Sequence, residues 1–212
     1  MHKVVQNGTT IPHEVSSDTK LVNAYVTGVG ATKRIVFWDT LLEKLEDEQI
    51  LFVTAHEMGH FVLRHTLAFI LGAAALITVS LYLVHRVAGK LIDRFSRQFG
   101  FGLLSDVASF PLLLLLGSLV SLVLVPALLA LSRYQEHEAD RFALEVTRDN
   151  RAAATTFVRL QEENLSVPRP GPLYMFWRGS HPALGDRIDF ANHYRPWQTN
   201  EPLRYDRFVR PE

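Results

Sequence analysis

Two uncharged apolar runs constrain this chain more than any other feature. They are residues 67–84, LAFILGAAALITVSLYLV, and residues 107–131, VASFPLLLLLGSLVSLVLVPALLAL. As helices they would reach roughly 27 and 37 Å, against a hydrocarbon core of about 30 Å. The alternative is a pair of core helices in a soluble protein. That requires enough surrounding protein to wrap both, and a chain of 212 residues offers too little. The runs therefore predict a transmembrane hairpin, with the lipid bilayer as a partner. Pro126 lies inside the second run, where neighbouring helices must satisfy the carbonyl it frees. Gly117 and Ser121 are four apart and would let another helix approach closely.

The joining segment, 85–106, carries Arg86, Lys90, Arg94 and Arg97 against Asp93 and Asp106, which favours a cytoplasmic loop. Lys44, Arg64, Arg133, Arg141, Arg148 and Arg151 flank the other ends of the runs, so charge alone leaves the orientation open. Ahead of the first run, residues 22–27 and 34–38 read as short strands, with GVGATK as the turn of a hairpin. Asp39 is a reasonable N-cap for a helix over TLLEKL, and a second helix starts near Glu46 or Asp47. That helix has no proline and is expected to run directly into the first span. SRYQEHEADRFALEV continues the second span as helix. Beyond Val167, Pro168, Pro170, Pro172, Pro182, Pro196, Pro202 and Pro211 mark loops and short helices. The whole, 1–212, reads as one domain: strands and a helix to 66, the hairpin over 67–131, and a final helical region over 132–212.

Basic and acidic residues balance at 22 each, so no global field points to nucleic acid. The absence of cysteine excludes disulfides, thiolate metal sites and cysteine nucleophiles together. Any transition metal must be held by histidine and carboxylate. Residues 1–20 are polar and lack the apolar core of a signal peptide. Nothing in the composition fixes an oligomeric state.

His56-Glu57-Met58-Gly59-His60 is an HExxH pattern on a segment that is helical on other grounds. Residues four apart share a helix face, so both imidazoles can meet one tetrahedral Zn²⁺. Glu57 then stands where it can take a proton from water activated by the metal. A third ligand is still needed. A histidine six residues beyond His60 fails, because position 66 is Thr66 and position 63 is Leu63. His65 is turned about 140° from His60 around the helix, which makes it a poor ligand. The other route takes a carboxylate from a later helix. Glu136 supplies it, with Asp140 one turn on to orient a ligating histidine. His137 and Glu138, the local competitors, are rotated about 100° and 200° around the helix from Glu136. Topology agrees: the histidines precede the first span and Glu136 follows the second, so two crossings return both motifs to one side.

Taken together, VNAYVTGVGATKRIVFWDTLL, HEMGH, the two spans, SRYQEHEAD and SHPALGDRI resemble the type I CAAX prenyl proteases and the related HtpX-type membrane proteases. The resemblance implies a mainly α fold with a small β-hairpin or sheet, a membrane-embedded gluzincin with a two-helix transmembrane hairpin. It implies one zinc ion, and a peptide or protein substrate that adds as an antiparallel strand beside Asn23 and Ala24. It gives His181 and Arg187 as donors to the oxyanion, and it places the active site on the cytoplasmic side of an integral membrane protein. Members of that group carry further membrane helices ahead of the Asn-Ala-Tyr strand, where this sequence has polar residues. Three functions follow for test: CAAX-type processing, HtpX-like removal of unfolded membrane proteins, and an inactive membrane scaffold.

Overall fold

The computed structural model describes residues 3–6, 9–11, 15–28, 32 and 34–209. The expected hairpin forms from β3 (Ala24–Thr27) and β4 (Arg34–Phe37), paired antiparallel with Ala24 opposite Phe37. Most of its GVGATK turn lies outside the described residues. The polar N-terminal stretch adds two strands that its composition did not announce, β1 (Lys3–Gln6) and β2 (Thr9–Ile11). The sheet order is β2-β1-β4-β3 with every pairing antiparallel. Because β1 takes the far side of β4, β3 is left as an edge strand.

Helix α1 (Asp39–Lys44) is preceded by Trp38 as N-cap, one residue earlier than expected. Asp39 instead accepts the backbone N–H groups of Val15 and Ser16 at 3.2 and 3.3 Å, tying that loop to the start of α1. Helix α2 (Asp47–Val62) begins with a capping box between Glu46 and Gln49.

It does not run into the span. Leu63 ends it, Arg64 takes a left-handed conformation at φ 56°, and α3 (His65–Phe99) restarts in a new direction. No glycine or proline marks this break in the sequence. Helix α3 also outlasts the apolar run: the basic segment continues as helix to Phe99, kinked at Phe95 (φ -124°), and closes on Gly100 at φ 76°, a conformation suited to glycine.

After a 3₁₀ turn over Val107–Ser109, α4 (Phe110–Thr147) carries the second span and the expected ligand segment as one continuous helix. The candidate spans are almost unburied: 6% of each apolar window lies inside the protein. A soluble core helix would be buried, so the exposed apolar faces fit membrane spans. Among the described residues nothing lies within 4 Å of a Cβ built at Gly117, whereas Gly72 meets Leu131 at 3.1 Å.

Helices α5 (Asn150–Glu163), α6 (Pro172–Trp177), α7 (Leu184–His193), α8 (Pro196–Thr199) and α9 (Asp206–Val209) complete the chain, in the proline-rich texture expected after residue 167. The main core gathers Phe52 and Ala55 of α2, Ala143 and Leu144 of α4, Phe157 of α5 and Ala191 of α7. A second cluster, with Val22, Phe37, Leu41 and Val53, joins the sheet to α2. These two clusters hold α2 between sheet and helices, which fixes where its polar face points.

Candidate metal centre

Gly59 lets α2 approach α4 closely. A Cβ there would stand 3.2 Å from the Ala139 Cα and 3.2 Å from the Phe142 ring, so a larger residue would wedge the helices apart. At that separation Glu136 reaches the two histidines. His56 Nε2 and His60 Nε2 are 3.1 Å apart, and each is 3.4 Å from an oxygen of Glu136. Donors about 2.0–2.1 Å from a tetrahedral centre would be separated by roughly 3.4 Å. The three donors therefore fit a zinc-sized ion, with one candidate ligand atom from each side chain within 4.8 Å of the others. Two imidazole nitrogens turned on each other and on a carboxylate are an arrangement that a cation stabilises.

The supporting contacts explain why the rings point this way. Asp140 Oδ1 lies 2.9 Å from His56 Nδ1, leaving Nε2 for a ligand. Arg187 donates to both Asp140 oxygens, through Nε at 2.8 Å and Nη2 at 2.6 Å. Its guanidinium also lies over Phe157 at 4.3 Å and within 3.8 Å of Glu136. Burial opposes charge on His56, but Asp140 and Glu136 outweigh it and hold its pKa up at about 10. For Glu57 burial is the largest influence and raises the pKa, with His56 and His60 pulling the other way.

Glu57 and His181 line a cleft of about 690 Å³ together with the three candidate ligands. One wall is the free edge of β3, with Asn23, Ala24 and Tyr25; apolar walls come from Trp38, Val53, Leu160 and Leu184. The backbone of Asn23 is used by β4, since Trp38 N–H donates to its carbonyl at 3.1 Å. On the open side, the Asn164 side chain pairs with both the N–H and the C=O of Val22, at 3.0 and 3.3 Å. Alternation along the strand then turns the N–H and C=O of Ala24 to the same open edge.

The structure thus brings together His56, Glu57, His60, Glu136, Asp140 and Arg187, with Asn23 and Ala24 on the adjoining wall. His181 stands at the mouth, its side chain 58% exposed and its Nε2 3.5 Å from Glu136. The neighbours that competed for the ligand role face elsewhere. Glu138 meets Arg141, Tyr205 and Arg204, and His137 meets Arg141 and the Phe190 ring. His65, turned away from the His60 face, does not join the three donors. It instead abuts the far side of His60, Nδ1 to Nδ1 at 3.1 Å, while Gln135 donates to its carbonyl. The break at Arg64 creates that contact, and nothing in the local sequence signals it.

A model described as peptidase family M48 matches residues 4–195. The chain belongs to peptidase family M48. Within the curated proteins, this M48 chain is 42% identical over 180 residues to the "Uncharacterized metalloprotease YhfN" of Bacillus subtilis, covering 84% of the chain and 42% of that protein. It is 36% identical over 177 residues to a "CAAX prenyl protease 1 homolog" of Arabidopsis thaliana, covering 78% of the chain and 39% of that protein. Among solved structures it is similar to S. mikatae Ste24p, with a TM-score of 0.59 and 27% identity over 83% of the chain and 43% of that protein. The M48 chain thus spans about two fifths of the length of the curated relatives it matches.

Proposed function

We propose that this M48 chain forms the catalytic core of a zinc-dependent membrane endopeptidase. The observation that carries the reading is the convergence of His56, His60 and Glu136 at 3.1–3.4 Å beside Glu57 in an open cleft. Those three side chains would hold one zinc ion. When bound, zinc supplies a Lewis acid that acidifies water and polarises a carbonyl. The free edge of β3 pairs with an extended peptide at Ala24, as strands do at open sheet edges, and lays its carbonyl across the cleft. Glu57 takes the proton from the attacking water and passes it to the leaving amine. His181 donates to the developing oxyanion from the mouth, while Arg187 keeps Asp140 and therefore His56 in place and adds positive charge beside the same oxygen.

CAAX-type peptides are the substrate class we favour, on the strength of the relatives so named and of the apolar cleft walls. HtpX-like cleavage of unfolded membrane proteins is the rival, and an inactive scaffold is disfavoured by the complete set of side chains. A cytoplasmic active site is part of the same proposal.

The test is turnover of prenylated and unprenylated peptides by the reconstituted chain and its Glu57→Gln variant. The amide cannot accept a proton, so zinc should be retained while kcat falls by about 10³ or more. A fully active Glu57→Gln protein would overturn the mechanism. His181→Ala should lower kcat by about 10²–10³ with KM and zinc content little changed.

A further inference from the structure

Helix α6 lies outside both predicted spans, yet it runs beside the second one. Its sequence, PLYMFW, is uncharged and flanked by Arg169 and Arg178. None of its residues is buried: Leu173 is 73% exposed, Tyr174 57% and Phe176 48%. The Trp177 indole N–H donates to the backbone carbonyl of Leu122 at 3.1 Å. Leu122 precedes Pro126 by four, so its carbonyl is the one that the proline ring leaves without an intrahelical donor. Leu122 also lies roughly 13 Å inside the end of the apolar run at Leu131. Two more ties hold the segment against the same helix. Arg133 Nη1 donates to the carbonyls of Met175 and Gly179, and Ser132 Oγ to that of Ser180.

We propose that α6 is a third membrane-embedded element, a short helix inserted from the active-site face whose exposed side contacts lipid acyl chains. The proposal rests on the reading of α3 and α4 as spans. An indole at that depth would lose its water, and pairing it with the orphaned Leu122 carbonyl satisfies two polar groups at once. The apolar side of α6 is continuous with the exposed face of α4 at Leu119, Leu122 and Val123, all lipid-facing on that reading. Its chemistry is that of a membrane interface: aromatic residues within, and Arg178 at its C-terminal border, a side chain long enough to extend toward the headgroups, while Arg169 is held by Asp186 and Asp189. The consequence is functional. His181 lies four residues beyond the end of α6, so the bilayer anchors the short segment that carries it, and the cleft opens at the membrane surface.

The chain has no cysteine, which permits single-cysteine labelling. Leu173→Cys, with Tyr174→Cys as a second position, would carry a small environment-sensitive fluorophore in the full chain reconstituted in phosphatidylcholine vesicles. Val123→Cys reports the span and Glu162→Cys the aqueous surface. Nitroxides on the acyl chains should quench positions 173, 174 and 123 to a similar degree, while aqueous iodide should quench only 162. Quenching of 173 and 174 by iodide would place α6 in water. Quenching by neither agent would mean that protein, including a second copy of the chain, covers it. Either result, with 123 quenched by nitroxide, overturns the proposal alone. Failure of nitroxide to quench 123 would remove the spanning helix itself and the proposal with it.

Discussion

The two halves of α4 are one helix in two solvents. In the first half the apolar side chains face outward: Leu114, Leu115, Leu119, Leu122 and Val123 are each more than half exposed. In the second half the polar ones turn inward: Gln135, Glu136, Glu138, Asp140 and Glu145 are buried among other protein groups. Hydropathy alone would reverse this order in water. The first half is stable because lipid replaces water around it. The second is stable because each buried carboxylate has partners. Glu145 is fully buried and accepts the Tyr194 hydroxyl at 2.5 Å and the N–H groups of Arg204 and Tyr205 at 3.0 and 2.7 Å. Burial of an acid is informative when the partners can be counted.

Exchanging the character of the two halves tests that contrast. Glu145→Ala should have the largest effect on stability, about 3 kcal/mol, because it leaves three donors unpaired and frees the C-terminal segment. Thermal unfolding in detergent measures it; a loss below about 1 kcal/mol would mean that the pairing contributes little. Val123→Arg should disfavour insertion by about 2.5–3.5 kcal/mol if the residue faces the bilayer centre. A glycosylation-reporter insertion assay reads this, and normal insertion would place position 123 outside the hydrocarbon. Asp140→Asn should weaken zinc affinity by about 10–100-fold with the fold retained, since it disturbs both His56 and Arg187. Competition with a chelator follows it. Val123→Leu should change stability by less than about 0.5 kcal/mol, as an apolar exchange in lipid leaves no cavity.

The same contrast explains what could be read from the sequence. The first half of α4 announces itself by an unbroken apolar run. The candidate ligands were legible because HExxH and the Glu136–Asp140 pair follow helical spacing, and two crossings would return them to one side. The β3–β4 hairpin was visible in its β-branched and aromatic residues. The rest depends on contacts between distant segments. Nothing near Asp140 names Arg187, 47 positions later, as its bidentate partner. Nothing near Glu138 or Glu145 points to Tyr205. Strands β1 and β2 are short, and they gain structure from pairing with each other and, for β1, with β4. The left-handed turn at Arg64 has no glycine or proline to mark it, and His65 lies behind His60 just after that turn.

Metal content tests the central claim most directly. The purified chain should bind about one zinc, as three protein ligands and one open position require. His56→Ala and Glu136→Ala should each lose it while keeping the helical content of the parent chain. Full zinc occupancy in Glu136→Ala would contradict the account, because the carboxylate that α4 carries back across the membrane would then not be the third ligand.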